Sequence, residues 1–416
     1  MTPIVPITRR TLLGSTAAAL PTILAPRRGR AQAAAGIKIG VLNDMSGPYR
    51  DISGPVSVAC VRQAIEDSGV VAKGIAVDVL VGDHQNKPDV GAGIARQWAD
   101  RDGVDMIIDV PNSGVALAVA GVAREKDKVY INSNAGTADL TGPACAPTTL
   151  HWTYDTWMLA HSTGGAMVKQ GGTSWFFITA DYAFGHALER DTTAFVKSAG
   201  GTVLGSVATP FPGTTDFSSF LLQAQASRAK VIGLCNAGSD TTNCIKQAAE
   251  FGVTSGGTKL AGLLVFVSDV HALGLKAAAG LVLTETFYWD LNDRTRAVTK
   301  RITAKSDGVV PGMGQAGVYS GALAYLRTVA AMTAPVAKAS GAKTVERMKT
   351  MTFDDDAFGT STIRADGRVL HPAYLFEVKT PQESHGAWDY YKLLATIPAD
   401  QAFRPLTDGG CPLVHA

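Results

Sequence analysis

The side chains of this chain that could do chemistry gather in seven short polar segments, residues 43–49, 83–86, 111–114, 132–137, 179–185, 236–240 and 268–271. They are rich in amides, hydroxyls and glycine, with the rings of Tyr49, Tyr182 and Phe184 set among them. Such groups recognise a small polar molecule by hydrogen bonding, with apolar rings to cover it. Taken singly, each Asn, Ser or Asp has the plainer role of a helix N-cap. Seven segments on one rim point to binding, and Met45, Tyr49 and Asn236 count among the candidate ligand contacts.

Signatures of catalysis are weak by comparison. Gly312-Met313-Gly314-Gln315-Ala316-Gly317 has the glycine spacing of a dinucleotide site. No β-rich run precedes it and no acidic residue lies near position 337, so it reads as a loop and helix start. The eight histidines never fall into His-Glu-x-x-His spacing, and no Gly-x-Ser-x-Gly elbow occurs. Asp354-Asp355-Asp356 lacks the alternating ligands and glycine of a calcium loop and reads as a solvated hinge. No cofactor and no metal are implied.

The segments need a scaffold, and the chain alternates to supply one. Strands are expected at residues 37–42, 75–81, 104–110 and 129–131, with helices at 54–68, 89–101 and 114–126 between them. The rhythm restarts with strands at 174–178, 231–234 and 263–267 and helices at 186–198 and 240–251. Short β-branched strands separated by helices argue for parallel βαβ units, and hence for two α/β lobes. In such sheets ligands gather beyond the carboxyl ends of the strands, where the polar segments fall. Two aromatic segments, residues 151–157 and 284–290, suggest that the chain crosses between lobes more than once; the plain alternative is a pair of ordinary buried strands. On the crossing view, a helix over 317–332 returns to the first lobe and residues 351–359 cross again.

The N-terminus reads as an export signal: Arg9 and Arg10 precede an apolar run from Leu12 to Ala25, followed by Ala31-Gln32-Ala33. That run holds about 14 residues and contains Pro21, too short for a membrane span of roughly 20. A twin-arginine leader cleaved after Ala33 is therefore expected. Its removal takes five arginines and no acid, leaving 33 basic against 36 acidic residues, a net charge of −3. No basic footprint for nucleic acid remains. Of the five cysteines, Cys60 falls in a helical apolar pattern as a buried thiol. Cys145 and Cys411 lie in Pro/Gly-rich loops that could bring them together, although pairing cannot be read from a count.

Four stretches together resemble one family. They are Ile37-Lys38-Ile39-Gly40-Val41-Leu42-Asn43-Asp44-Met45-Ser46-Gly47-Pro48, Asp139-Leu140-Thr141-Gly142, Ala180-Asp181-Tyr182-Ala183-Phe184-Gly185 and Gln315-Ala316-Gly317-Val318-Tyr319. The chain is similar over nearly its whole mature length to the periplasmic solute-binding proteins of ABC importers, of the leucine/isoleucine/valine-binding type. The resemblance implies a type I periplasmic binding protein fold, two Rossmann-like α/β lobes joined by three crossover hinges and closing like a flytrap. It implies lobe 1 at 36–152 plus 288–352, lobe 2 at 156–284 plus 358–400, and a tail at 401–416. Asn112, Ser113, Ala135, Gly136 and Thr137 match positions that hold a carboxylate in amino-acid binders. Phe184, with Tyr182 nearby, matches the aromatic that covers the ligand, and Asp269 is the nearest match to the acid that takes an ammonium. The resemblance also places the tail near the first crossover, so Cys145 and Cys411 are expected to be bridged. The implied role is capture of an amino acid, organic acid or amide for inner-membrane permease subunits, by a periplasmic monomer without catalysis. A receptor's ligand-sensing module and a cleft enzyme are the alternatives.

Overall fold

Five parallel strands open the structure, a computed structural model that describes residues 36–414. The expected leader lies outside the described residues. The strands are β1 (Ile37–Asn43), β2 (Val77–Asp83), β3 (Met106–Asp109), β4 (Val129–Asn132) and β5 (Thr149–His151), in the order β2-β1-β3-β4-β5. A second parallel sheet holds β6 (Ser174–Ala180), β7 (Thr202–Thr209), β8 (Val231–Cys235) and β9 (Lys259–Gly262), in the order β7-β6-β8-β9. The mixed α/β architecture with two parallel-rich sheets is the one expected from the alternation.

Local chemistry explains the boundaries. Helix Gly54–Ser68 carries Pro55 in its first turn, where the fixed φ of proline fits, and stops at Gly69 with φ 64°. Strand β7 escapes the sequence pattern because it is an edge strand with alternate residues exposed and Gly205 at its centre. The strand expected at 263–267 is corrected. Pairing with β8 ends at Gly262, and a short helix, Val267–Leu273, begins within the expected run.

Beyond the second sheet the chain crosses back. Strand β10 (Val282–Glu285) pairs antiparallel with β14 (Ala373–Val378), which pairs with β15 (Tyr391–Ile397). Helix Met313–Met332 is buried along most of its length and packs on the first lobe, where Gly321 lies against Ile131, Ile108 and Trp152. Its start confirms that the glycine-rich run at 312–317 is a loop and helix N-terminus. A small antiparallel sheet of β11 (Phe353–Asp355), β12 (Gly359–Ile363) and β13 (Val369–Leu370) follows.

The hinge expected at 354–356 is only partly solvated. Asp355 is buried and accepts from Ser320 Oγ at 2.5 Å and from the Ala357 and Phe358 N–H groups at 2.8 and 2.9 Å. Asp354 and Asp356 pair with Arg294, and Asp356 also with Arg301.

Crossovers run side by side. Arg368, fully buried, donates to Asp155 Oδ2 at 3.0 Å and to the carbonyls of His151 and Thr153, and lies 4.3 Å over the Phe403 ring. A disulfide joins Cys145 to Cys411, with the Cα atoms 5.6 Å apart, and so fixes the segment that carries Phe403. Cys60, Cys235 and Cys244 are buried free thiols. No helix among the described residues is long and apolar enough to cross a membrane.

Candidate functional site

Both parallel sheets reverse strand order at one point, between β1 and β3 in the first and between β6 and β8 in the second. Beyond the carboxyl ends of those strands the flanking loops diverge and leave a crevice for a ligand. Tyr49 follows β1 and Asn112 and Ser113 follow β3; Tyr182 and Phe184 follow β6 and Asn236 and Asp240 follow β8. The candidate residues thus come from the two switch points, with Thr137 beyond the neighbouring β4.

Hydrogen bonds within the first lobe shape its rim. Asp44 accepts from the N–H groups of Ser46, Gly47 and Tyr49 and from Asn86 Nδ2, which folds the 44–49 loop around one carboxylate. Asn112 caps helix Ser113–Glu125 through the Val115 N–H at 3.0 Å. The N–H groups of Ser113 and Gly114, at the start of that helix, have no intrahelical acceptor. Ser113 Oγ accepts from the Thr137 N–H at 3.2 Å, so these two residues stand side by side, both buried. The N–H of Ala135 is already bonded to Asn132 Oδ1, so Ala135 contributes shape. Met45 is half-buried on the first loop.

Aromatic rings dominate the second rim. Tyr182 stacks on Phe211 with centroids 4.3 Å apart, and Phe211 stacks on Tyr49 at 5.3 Å. Tyr49 and Tyr182 share a hydrogen bond between their hydroxyls, across the two lobes. Phe184 presses on Gly136, where a Cβ would stand 2.7 Å from its ring, so only glycine allows this approach. Similarly Gly238, at φ 59°, brings Ser239 N–H to the Pro48 carbonyl at 3.3 Å. The lobes are shut on one another.

Between them remains a groove of about 390 Å³ lined by Pro48 and Asp51 on one side and Gly238, Asp240, Ser268 and Asp269 on the other. Of the expected site residues only Asp269 lines it. Ser113, Thr137, Tyr182 and Phe184 lie elsewhere in the interlobe contact.

The buried acids stand out electrostatically. Burial pushes Asp240 and Asp269 up to about 7 and Glu285 up to about 8; Asp269 is held back by the Phe266 N–H, and Glu285 by the Tyr391 hydroxyl. Asp109, in a left-handed conformation at φ 91°, is raised to about 6 by burial despite an Asn134 amide at 2.6 Å. Asp269 sits in the first turn of its helix as a cap. Asn236 accepts from Thr241 at 2.7 Å and leaves its own amide unpartnered. Neither Asp240 nor Phe211 was expected from the sequence as a ligand contact. Asp240 lay inside a quoted segment, whereas no pattern marked Phe211. No cluster of three or more potential metal ligands occurs among the described residues.

The sequence profile of the family described as periplasmic binding protein matches residues 36–386. A periplasmic binding protein from Burkholderia mallei is 47% identical, covering 91% of this chain and 99% of its own, with a TM-score of 0.87. A branched-chain amino acid ABC transporter periplasmic ligand-binding protein from Burkholderia xenovorans is 39% identical, over 91% and 99% of the chains, at 0.79. A solute-binding protein of an ABC transporter from R. palustris, solved with benzoate, shares the fold at 22% identity and a TM-score of 0.78, over 91% and 99%. Comparison with curated protein sequences finds no match. With two switch-point rims shut on one another and a family profile spanning most of its length, the chain belongs to the periplasmic binding proteins, the solute-binding components of ABC importers.

Proposed function

We propose that the mature protein, released from a twin-arginine leader by cleavage after Ala33, works in the periplasm as a monomer. It closes on one small polar or carboxylate-bearing solute, an amino acid, organic acid or amide, and hands it to permease subunits in the inner membrane without catalysis. Lobe 1 takes residues 36–152 plus 288–352, lobe 2 takes 156–284 plus 358–400, and 401–416 form the tail.

The observation that carries this reading is the meeting of the two switch-point rims, with Gly136 against Phe184 and Tyr49 against Tyr182. Ser113 and Thr137 flank the N-terminus of a 13-residue helix, whose open N–H groups and dipole suit a carboxylate. Tyr49, Tyr182, Phe184 and Phe211 suit an apolar body attached to it. The molecules named for two related structures, a branched-chain amino acid and benzoate, both join a carboxylate to an apolar body.

A thermal-shift screen of amino acids, aliphatic and aromatic carboxylates and amides identifies the solute. Thr137→Ala should then weaken it roughly tenfold, since a hydrogen bond to a charged group contributes about 1.5–3 kcal/mol. Phe184→Ala should weaken it more. Dissociation constants unchanged in both, with ligand-free melting temperatures lowered, would assign these residues to packing. For export, replacing Arg9 and Arg10 by lysine should leave precursor in the cytoplasm. Unchanged periplasmic yield would point to the general secretory route.

A further inference from the structure

The end of β3 carries backbone strain, and the first-lobe rim is aimed from there. Asp109 and Val110 have φ of 91° and 58°. A β-branched residue seldom adopts a positive φ, and such strain persists only where the surroundings impose it. Here the Val110 N–H donates to the Leu42 carbonyl at 2.8 Å and the Ser133 N–H to the Asp109 carbonyl at 3.3 Å, so the chain on both sides grips the turn. From this turn the backbone runs through Pro111 into Asn112 and Ser113, where the helix starts. The Asp109 side chain reaches the other half of the rim. Its Oδ1 accepts from Asn134 Nδ2 at 2.6 Å, and the Asn134 carbonyl, three residues before Thr137, accepts from the Tyr154 hydroxyl.

The second oxygen of the Asp109 carboxyl is unanswered. Asp109 is fully buried, and its Oδ2 has no hydrogen-bond partner although Asn43, Ser53 and Ser57 face the group. Asn43 Nδ2 is spent on the Gly54 carbonyl at 2.9 Å, which fixes the amide and leaves Asn43 Oδ1 without a donor. Two facing acceptor oxygens thus lack a donor, and a proton on Asp109 Oδ2 serves both. Cys60, Tyr130 and Tyr154 also feel Asp109, and burial holds all three in their neutral forms. None of these neighbours is a cation. Burial accordingly raises Asp109 to about 6.

We infer that Asp109 is the positioning residue of the first-lobe rim, setting Ser113 through its strained turn and Thr137 through Asn134, and that the rim holds a solute's carboxylate most tightly when Asp109 carries its proton. An ionised Asp109 places a like charge in the layer behind the rim and leaves Asn43 without a donor. The inference rests on the interlobe cleft being the solute site and adds its regulation: affinity for a carboxylate falls as pH rises through the range where Asp109 ionises. Asp240 and Asp269, raised to about 7, act in the same sense from the second lobe, so variants must be compared at each pH.

Calorimetric titration of the mature protein with benzoate and with pentanoate at pH 5.5 and 7.5, where both probes are ionised, tests the inference. At least one probe should bind at pH 5.5, and about fivefold more weakly at pH 7.5. Asp109→Asn copies the protonated acid and suits a left-handed backbone; at pH 7.5 it should bind about threefold more tightly than the unaltered protein, with a smaller ratio between the two pH values. A merely structural role would instead lower affinity equally at both. Asp109→Ser, neutral and smaller, serves if the amide variant misfolds, and its ratio should shrink in the same way. Neither probe binding at pH 5.5, or the unaltered protein's pH ratio persisting in both variants, overturns the inference. The cleft reading is judged on Thr137→Ala and the screened solute, so the two can fail separately.

Discussion

The hinge and the cleft both bury charge, and they treat it in opposite ways. In the hinge, Arg368 is fully buried, yet it has Asp155 at 3.0 Å, two crossover carbonyls and the Phe403 ring around it. His371 stays neutral beside it, lowered to about 4 by burial, with Nε2 2.7 Å from the Trp152 carbonyl. In the cleft, Asp240 Oδ2 is buried without a partner, and Asn236 Nδ2 is in the same condition. A buried charge that finds its partners within the chain, as Arg368 does, helps to hold one geometry; one left open, as at Asp240, carries its desolvation cost unrelieved.

Arg368→Met probes the comparison hardest. It strands Asp155 in the interior, and removal of one partner from a buried pair costs about 3–5 kcal/mol. Chemical denaturation should show that loss, and a cost below about 1 kcal/mol would mean that the hinge network is dispensable.

The disulfide comes next. Replacing Cys145 and Cys411 together by serine frees the segment that places Phe403 under Arg368 and Arg404 Nη2 against the Ala138 carbonyl at 3.1 Å. The expected loss is about 2–4 kcal/mol. Non-reduced peptide mapping that finds both thiols free would remove its basis.

The last effect belongs to the buried acids and is read from pH. Between pH 6.5 and 8 the unfolded chain has lost the protons of its carboxyls, whereas the folded chain keeps part of them on Asp240 and Asp269, raised to about 7, and Glu285, raised to about 8. The folded state therefore binds more protons, and stability should fall as pH rises through this window, by up to roughly 1.4 kcal/mol per pH unit for each group. Buried His84 and His371, lowered to about 4, act in the opposite sense, but only below pH 6.5 where unfolded histidine gains its proton. Melting curves of the ligand-free protein should show the fall, and Glu285→Gln should flatten it above pH 7. A flat profile in the unaltered protein would mean that water or movement already relieves these acids.

How far each region was legible follows from the range of the forces involved. Helix Gly54–Ser68 was readable to the residue because Pro55 and Gly69 act within one turn. The rim segments were readable because strand ends and helix caps are local, and their order along the chain matched a family. Cys145 and Cys411 stood out as loop cysteines, and their pairing needed the family's placement of the tail. Asp269 was assigned to a strand end and is found inside a helix that starts at Val267, since an apolar run of five residues suits either state.

Arg368 had no signature at all. An arginine belongs at the surface until distant residues supply an acid, two carbonyls and a ring, and these come from positions 151–155 and 403. Phe211 likewise became part of the site only when Tyr49 and Tyr182 met it from two lobes. The alternation of short strands and helices, the polar strand ends and the chemistry absent from them were properties of the sequence alone, because each depends on neighbours a few residues away. Which acids lost their water, and which of those found a partner, was decided by the tertiary structure, because desolvation depends on everything packed around a group.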